Sequence, residues 1–348
     1  MVISLLFDMK QQVLYSGLKA LDRVLQNDTW NDCSYVILLD ENTFKYCLPV
    51  LISQVGVLQE AEFIEVPVGE DCKSLEVASQ VWQTLMESKA DLNTVIVNLG
   101  GGCVSDLGGY VGSCFKRGLR CINIPTTLLS MVDASIGGKT AINFAGVKNS
   151  IGTFHEAELV CLDYLFLDTL QPIDLLSGQF EMIKTAAVSD IDLYVHIMGA
   201  DTVTQKMIGN VARIKRRVVS ADPFDHGIRH ILNFGHTFGH AIEFYSQLPH
   251  GVAVGIGMMA AMYLSVKKTG LDEAWYRSYS MWVKSHTDVP VYTLKDIEYI
   301  LDIMRNDKKS MGGSTRCVLL KEIGAAMIDV EVSDNEIRDT LLVGLRIP

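Results

Sequence analysis

The sequence has 348 residues, of which 49% are hydrophobic and 20% are charged, which excludes extensive disorder and predicts more than one folded domain. The formal net charge of -11, with basic residues scattered along the chain, excludes a general nucleic-acid binder, because phosphate backbones select basic surfaces. Eight cysteines without CxxC spacing predict reduced thiols and a cytoplasmic location rather than a disulfide-stapled secreted fold.

The N-terminal segment, residues 1–9, contains a short apolar run with an acid inside it and no basic stretch. It therefore lacks the form of a secretory signal, and we expect no export. The longest nearly apolar stretch, residues 252–266, is short for a bilayer-spanning helix, so it predicts a buried helix and no membrane partner.

The first half of the chain alternates short β-branched runs with segments of helical periodicity. The predicted strands are residues 35–39, 63–66, 94–99 and 122–125. Alternation of this kind predicts a parallel sheet covered by helices.

From about residue 171 onwards β-branched runs become rare and helical stretches dominate through to the C-terminus. The clearest predicted helices are residues 175–188, 202–219 and 237–247. The change of composition near Pro172 predicts an α/β domain over residues 1–171 and a mainly α-helical domain over residues 172–348.

A glycine-rich turn, GGGCVSDLGG at residues 100–109, follows the predicted strand 94–99. Backbone N–H groups at the start of the helix that follows would suit a pyrophosphate. The spacing is not GxGxxG, so a tight strand-to-helix turn without a ligand is an equal alternative.

A polar segment follows the next predicted strand and contains DASIGGKT at residues 133–140, then Lys148 and Asn149. Its hydroxyls, glycines and lysines suit phosphate and polyol binding, and we interpret it as a loop. A solvated loop without a ligand is the alternative. A nucleoside triphosphatase is excluded because the GxxxxGK[ST] spacing is absent.

Three histidines and a glutamate predict a metal site. His236 and His240 are four residues apart and share one face of a predicted helix, and His250 follows. Glu181 lies with Lys184 on a largely apolar helix, where an unpaired carboxylate would be costly. Two imidazoles and one carboxylate are a common zinc ligand set, but spacing does not decide which two histidines bind, and core histidines without a metal are the alternative.

Taken together, these segments resemble the dehydroquinate synthase family of sugar-phosphate cyclases, from about Asp40 to residues 307–309. The resemblance rests on GGGCVSDLGGYV, FKRG, INIPTTLLSMVDASIGGKTAIN, KNSIG, EMIK, KRRVVSAD and GIRHILNFGHTFGHAIE, followed by His250 and Gly251. It implies a Rossmann-like NAD-binding α/β domain, a mainly helical metal- and substrate-binding domain, and an active site in the cleft between them.

The resemblance also implies roles for individual residues. Those expected to surround NAD are Asp40, Asn42, Glu70, Lys73, Gly101, Gly102, Cys103, Asp106, Thr126, Thr127, Lys148, Phe166 and Thr169. The expected ligands of zinc, with cobalt as an alternative, are Glu181, His236 and His250. The expected phosphate-binding residues are Arg117, Lys139, Asn149 and Lys309. Residues expected to hold the carboxylate, hydroxyls and water are Asp133, Lys184, Lys215, Arg229 and Asn233. His240 and Asp225 are expected to handle protons.

The implied reaction converts 3-deoxy-D-arabino-heptulosonate 7-phosphate to 3-dehydroquinate and phosphate, a carbon–oxygen lyase reaction of the shikimate pathway of aromatic amino acid biosynthesis. It combines transient oxidation by NAD, phosphate elimination, re-reduction and an intramolecular aldol closure. The resemblance also implies a homodimer and an anionic sugar-phosphate substrate.

Some positions depart from the family pattern. Asp225 stands where glutamate is usual, Val252 replaces an acid, and Phe180 alters the surroundings of EMIK. Related cyclases acting on sedoheptulose 7-phosphate or glucose 6-phosphate are therefore alternatives, although Lys215 and Arg229 favour a substrate with a carboxylate. A metal- and NAD-dependent polyol dehydrogenase and a ligand-binding pseudoenzyme are further alternatives.

Overall fold

The computed structural model of the chain describes residues 11–309 and 315–346, without the side chains of residues 306–309. The chain divides into two compact units, Met1–Gln171 (unit 1) and Pro172–Pro348 (unit 2). The prediction for residues 1–9 and the phosphate contact predicted for Lys309 lie outside the described residues and side chains.

Unit 1 is built on a six-stranded parallel sheet. Its strands are β1 (Gln12–Leu14), β2 (Ser34–Asp40), β3 (Glu62–Val66), β4 (Thr94–Gly100), β5 (Arg120–Pro125) and β8 (Leu159–Cys161), in the spatial order β1-β8-β5-β4-β2-β3. The four predicted strands are confirmed as β2 to β5. All seven residues of β4 are buried, as expected for a central strand of a sheet with both faces covered.

The helices of unit 1 are α1 (Leu18–Leu25), α2 (Glu41–Tyr46), α3 (Leu48–Gln54), α4 (Leu75–Glu87) and α5 (Gly102–Cys114). Helix α5 begins inside the glycine-rich turn, as predicted. Part of that glycine pattern serves packing, because a Cβ on Gly108 would lie 1.7 Å from Oδ1 of Asn98 in β4. Helix α5 can therefore approach the sheet closely.

The polar segment interpreted as a loop is mostly a β-hairpin, so that interpretation is wrong. Residues Ser130–Ala134 form a π-helical turn, and β6 (Lys139–Phe144) then pairs with β7 (Val147–Phe154) in an antiparallel hairpin. Six of the eight residues of β7 are exposed to solvent and the other two are partly buried. β7 has no buried residue and β6 buries only Thr140 and Ile142, so the apolar alternation that would have identified the strands is weak.

Unit 2 is mainly helical. Its helices are α6 (Pro172–Ala187), α7 (Ile191–Met198), α8 (Gln205–Ala221), α9 (His236–Ser246), α10 (His250–Lys268), α11 (Glu273–His286), α12 (Leu294–Lys309) and α13 (Asp334–Asp339). The prediction of a mainly helical domain is confirmed, and the sequence prediction missed one antiparallel hairpin in it, formed by β9 (Thr315–Glu322) and β10 (Ala325–Val332).

Helix α10 is the central helix of unit 2, and its residues 251–265 are buried throughout. Its length and apolar composition alone would let it cross a membrane, but 83% of the apolar window is buried inside the protein. The prediction of a buried helix in this stretch is confirmed.

Candidate functional site

The carboxyl edge of the sheet in unit 1 gathers several residues predicted to surround NAD. Strands β2, β4 and β5 are parallel neighbours, so Asp40, the turn at Gly101 and Thr126 all follow strand ends at one edge. The N–H of Thr126 donates to the carbonyl of Gly100 at 3.0 Å. A Cβ on Gly101 would lie 3.1 Å from Cγ2 of Thr127, so the turn and the segment after β5 are in close contact. This edge presents the N-terminus of α5, where an anionic group is favoured.

A buried lysine lies beside this turn. The Nζ of Lys73 lies 2.6 Å from Oδ2 of Asp106 on α5 and 2.5 Å from Oδ1 of Asn149 on β7. Its side chain is only 3% exposed. Burial alone would lower the pKa of Lys73, but the neighbouring charges of Asp106 and Glu70 raise it, so the ammonium group stays charged.

Glu70 and Asn143 extend this group of polar contacts. The Nδ2 of Asn143 donates to Oε2 of Glu70 at 2.8 Å, and the Sγ of Cys103 donates weakly to Oε1 at 3.5 Å. Burial would raise the pKa of Glu70, but the hydrogen bond from Asn143 and the charges of Lys73 and Lys148 lower it. Glu70 is therefore a carboxylate at neutral pH. Five of the predicted site residues lie in one network with Asn143, namely Glu70, Lys73, Cys103, Asp106 and Asn149.

Asn143 was missed by the sequence prediction. Its N–H donates to the carbonyl of Lys73 at 2.7 Å, and its Oδ1 accepts from the N–H of Asn149 at 2.9 Å. The turn of the β6–β7 hairpin places Asn143 where it can make these contacts. Since the hairpin itself was read as a loop, no signal in the sequence identified Asn143.

The remaining residues predicted to surround NAD have other surroundings in unit 1. Asp40 caps α2, because its Oδ1 accepts from the N–H of Thr43 at 2.8 Å, and Asn42 is exposed on the first turn of that helix. Phe166 is buried in a short 3-10 helix that follows β8, and Thr169 is exposed at its end.

The residues of unit 1 predicted to bind phosphate are not all brought together. Arg117 follows the C-terminal end of α5, whose 13 residues span about 20 Å from Gly102. Asn149 contacts Lys73 near the first turns of α5, so within unit 1 these two residues lie near opposite ends of that helix. Lys139 is exposed at the start of β6, and Asp133 lies in the π-helical turn before it.

Unit 2 brings Glu181, His236 and His250 together. The Oε1 of Glu181 lies 3.9 Å from Nε2 of His236 and 3.9 Å from Nε2 of His250. Glu181 is 1% exposed, and its Oε1 accepts no hydrogen bond from the part of the chain that the structure describes. A metal ion about 2 Å from each of these three atoms would fit the spacing and satisfy the buried carboxylate oxygen. The donor set therefore fits a divalent metal.

His240 lies beside these ligand candidates and is exposed. Its ring centroid is 5.2 Å from that of His236 and 5.8 Å from that of His250. One nitrogen from each of the three histidines lies within 4.8 Å of the others, so a three-histidine ligand set also fits the geometry. The spacing of the atoms leaves open which set binds, while both sets contain His236 and His250.

Glycines allow the helices that carry this site to approach one another. A Cβ on Gly257 of α10 would lie 2.6 Å from the backbone nitrogen of Gly239 on α9. A Cβ on Gly251 would lie 2.3 Å from the carbonyl oxygen of Ser177 on α6. These backbone contacts bring α6, α9 and α10 close enough for their side chains to share one metal ion.

The charges around the cluster are paired. Lys184 forms an ion pair with Oε2 of Glu181, and both side chains are almost fully buried. The Nδ1 of His250 lies 2.8 Å from Oε2 of Glu243, a residue that the sequence prediction missed. Burial alone would lower the pKa of His250, but the hydrogen bond with Glu243 and the charges of Glu181 and Glu243 raise it.

The cationic residues predicted to hold a carboxylate, Lys215 and Arg229, are buried in unit 2. The Nη1 of Arg229 donates to the carbonyl of Pro223 at 2.8 Å. Asp225 has a left-handed backbone with φ of 59°, and its carbonyl lies 2.9 Å from Nε2 of His230. Asn233 is exposed.

Two departures from the family pattern are packed into the core of unit 2. The Phe180 ring occupies the space left by Gly255, where a Cβ would lie 2.2 Å from the ring, and it meets Trp282 edge-on at 5.5 Å. Val252 is 1% exposed. Both residues therefore contribute to packing. In the sequence, Phe180 directly precedes Glu181, and Val252 follows His250 by two positions.

Comparisons with known proteins follow the same division of the chain. A family model described as 3-dehydroquinate synthase N-terminal matches residues 63–177, and one described as 3-dehydroquinate synthase C-terminal matches residues 178–310. The chain belongs to the 3-dehydroquinate synthase family. A relative named 3-dehydroquinate synthase from Parabacteroides distasonis is 38% identical, with 88% of this chain and 89% of the relative covered. Another, from Bacillus cytotoxicus, is 33% identical over 95% of this chain and 93% of its own.

Solved structures support the fold of this 3-dehydroquinate synthase family member. A 2-deoxy-scyllo-inosose synthase complexed with carbaglucose-6-phosphate, NAD+ and Co2+ superposes with a TM-score of 0.82 at 20% identity, over 95% of each chain. A 2-epi-5-epi-valiolone synthase from Streptomyces hygroscopicus with NAD+ and Zn2+ bound gives 0.79 at 24% identity, over 96% of each chain. An iron-containing alcohol dehydrogenase from Thermococcus thioreducens gives 0.66 at 16% identity, covering 97% of this chain and 98% of its own.

Proposed function

We propose that this enzyme converts 3-deoxy-D-arabino-heptulosonate 7-phosphate to 3-dehydroquinate and phosphate. The observation that carries the proposal is the buried, unbonded Oε1 of Glu181 between two imidazole nitrogens, in a chain that both family models match. The names of the curated relatives support this substrate over those of the related cyclases.

Unit 1 is proposed to bind NAD, which when bound supplies a hydride acceptor and returns the hydride later in the cycle. The N-terminus of α5 would bind the pyrophosphate, because its first N–H groups have no partner within the helix. Glu70, Lys73 and Asp106 would position the rest of the dinucleotide through their shared network. Both solved cyclases named above contain NAD+, which supports this assignment.

Unit 2 is proposed to hold a divalent metal ion, and we favour zinc, which when bound polarises substrate oxygens. Glu181, His236 and His250 would hold it. Lys184, which forms an ion pair with Oε2 of Glu181, would hold that carboxylate with Oε1 towards the two imidazoles.

The exposed imidazole of His240 is proposed to move protons to and from substrate hydroxyls. A neutral imidazole can accept a proton at one nitrogen and return it later, which suits a reaction with no net change in protonation of the enzyme. Asp225 would assist this transfer. Lys215 and Arg229 would bind the substrate carboxylate, since their buried cationic groups are strong partners for an anion.

The nearest competing function is that of a sister cyclase whose substrate lacks the carboxylate. A purified, zinc-loaded sample with NAD can be given the heptulosonate 7-phosphate, sedoheptulose 7-phosphate and glucose 6-phosphate in turn, with phosphate release as the readout. Release from the first substrate alone is expected. Release from sedoheptulose 7-phosphate but not from the heptulosonate would overturn the proposal in favour of a sister cyclase, and net accumulation of NADH would favour a polyol dehydrogenase.

We also propose a homodimer in the cytoplasm. Sedimentation equilibrium of the purified protein should give twice the chain mass of 38.5 kDa. A single species at 38.5 kDa across micromolar concentrations would contradict the dimer.

A further inference from the structure

Glu243 in unit 2 is not among the predicted site residues, but it contacts one of them, His250. It lies on α9, seven residues after His236, and its side chain is 14% exposed. Its Oε2 lies 2.8 Å from Nδ1 of His250, the first residue of α10. The contact therefore links the two helices that supply the imidazole ligands.

The geometry defines how the ring of His250 is oriented. In the neutral ring with Nδ1 donating its proton to Glu243, Nε2 carries the lone pair, and Nε2 is the atom that lies 3.9 Å from Oε1 of Glu181. A free imidazole would exchange between tautomers and rotate about its side-chain bonds. The contact with Glu243 favours this tautomer and this orientation of the ring.

The two candidate ligand histidines differ in the hydrogen-bond partner of their Nδ1 atoms. The Nδ1 of His236 lies 3.4 Å from the backbone carbonyl of Phe234, a longer contact with an uncharged acceptor. The contact of His250 is shorter and its acceptor is a carboxyl oxygen, and a hydrogen bond to an ionised carboxylate is roughly twice as strong as one to a neutral carbonyl. His250 also belongs to both ligand sets that fit the spacing, so its orientation matters whichever set binds.

We propose that Glu243 is a positioning residue that sets the affinity of this site for a divalent metal, by holding the His250 imidazole with Nε2 facing the metal. This inference rests on the proposed function in one respect, namely that unit 2 binds a divalent metal. Glu243 contacts His250 rather than the metal, so its removal weakens binding without removing a ligand.

The test measures metal affinity directly, without substrate. Metal-free wild type, Glu243→Gln and Glu243→Ala are titrated with Zn2+ in competition with a chromophoric chelator. Loss of a carboxylate that orients a ligand histidine weakens metal binding by about 10–100-fold, and we expect this for Glu243→Ala. Glu243→Gln keeps an acceptor oxygen without the charge and should fall between wild type and Glu243→Ala.

The matched control is Glu273→Gln, the same chemical change at an exposed carboxylate that pairs with Arg277 on α11. Its Zn2+ affinity should equal that of wild type. A second readout separates positioning from folding. Thermal unfolding of the metal-free proteins should be similar for Glu243→Gln and wild type, while the Co2+ absorption spectrum of Glu243→Gln should change in shape as the ligand geometry relaxes.

The outcomes distinguish this inference from the proposed function. Wild-type affinity in both Glu243 variants would overturn the positioning role and leave the metal site standing. Equal weakening in Glu273→Gln would overturn it as well, because the effect would then follow from charge alone. A wild type that binds neither Zn2+ nor Co2+ would contradict the metal site itself and this inference with it.

Discussion

Glu181 explains at the scale of single residues why a metal is expected in unit 2. A buried carboxylate oxygen without a hydrogen bond is destabilising, and here it faces two imidazole nitrogens at 3.9 Å each. The sequence predicted Glu181 and three histidines as candidates. It could not separate the ligands from His240, because a spacing of four residues places both imidazoles on one helix face whatever their role.

Paired substitutions decide between the two ligand sets. We expect His250→Ala to lose zinc during dialysis, since His250 belongs to both sets, and His240→Ala to keep zinc while losing turnover. Two quantities are measured for each variant: the zinc content by atomic absorption, and the rate of phosphate release. Equal zinc loss in both variants would replace Glu181 by His240 in the ligand set.

Asn143 offers a second test at the residue scale, in the dinucleotide half of the proposed site. Asn143→Ala removes the hydrogen bond to Glu70 and the one accepted from the N–H of Asn149. At about 1 kcal/mol for each hydrogen bond, NAD affinity should fall by roughly 10–30-fold, measured by fluorescence titration. Zinc content should remain unchanged. An unaltered NAD affinity would place this network outside the dinucleotide site.

The helices and strands show which parts of the fold can be predicted from the sequence. Strands β2 to β5 were predicted because each is a compact β-branched run, and α10 because its apolar stretch is continuous. The β6–β7 hairpin was not predicted, because β7 has no buried residue and β6 buries only Thr140 and Ile142. The β9–β10 hairpin did carry a signal, two β-rich runs joined by a short turn at Gly324, whose φ of 93° favours glycine.

The close approach of α9 and α10 also yields a prediction. A Cβ in Gly257→Ala would meet the carbonyl oxygen of Gly235 at 2.2 Å, and backbone atoms cannot rotate away. We expect a loss of about 1–3 kcal/mol in the free energy of unfolding, together with weaker zinc retention as His236 shifts. Gly56→Ala is the control, because its new Cβ has only a 3.9 Å contact with Oδ1 of Asp22. Equal urea midpoints for both variants would contradict the tight contact.

Helix α13 supplies a pH-dependent test. The hydrogen bond from Lys268, followed by those from Ser333, lowers the pKa of Glu336 from 4.5 to about 2. Because the folded-state pKa lies below the unfolded one, Glu336 stabilises the protein above about pH 4.5, and this contribution is lost as the pH falls towards 2. Glu336→Gln should therefore be less stable than wild type at pH 7, by about 1 kcal/mol or less since the group is partly exposed.

Urea unfolding of both proteins at pH 7 and at pH 3 measures this difference. The gap between wild type and Glu336→Gln should narrow as the pH falls. A gap that stays constant between the two pH values would mean that the charge of Glu336 does not stabilise α13.

For the whole molecule, the sequence predicted more of the candidate site residues than of the contacts between them. The candidate ligands and the glycine-rich turn were identified from residue types and spacing, whereas the roles of Lys73 and Lys215 were implied only by the family resemblance. Asn143 and Glu243 were not identified, because each acts through a contact that depends on how a hairpin or two helices pack. The sequence also did not show that Arg117 lies past the C-terminal end of α5, whereas Asn149 contacts Lys73 near the first turns of that helix.

Phe180 and Val252 depart from the family pattern, and a departure of this kind could change the activity of the whole enzyme. Both are buried, and Gly255 leaves the space that Phe180 fills, so the structure accounts for them as packing. Asp225 is the departure that has a proposed role in proton transfer. We therefore expect the family reaction to be retained.

The most direct test of the central claim is turnover with substoichiometric NAD. Zinc-loaded protein is mixed with 3-deoxy-D-arabino-heptulosonate 7-phosphate and NAD at one-tenth of the substrate concentration, and phosphate, 3-dehydroquinate and NADH are followed together. We predict that phosphate and 3-dehydroquinate rise in equal amounts to many times the NAD added, with no accumulation of NADH. Product formation that stops when the NAD is consumed, with an equal amount of NADH formed, would contradict the proposed cyclase and leave a dehydrogenase on the same fold.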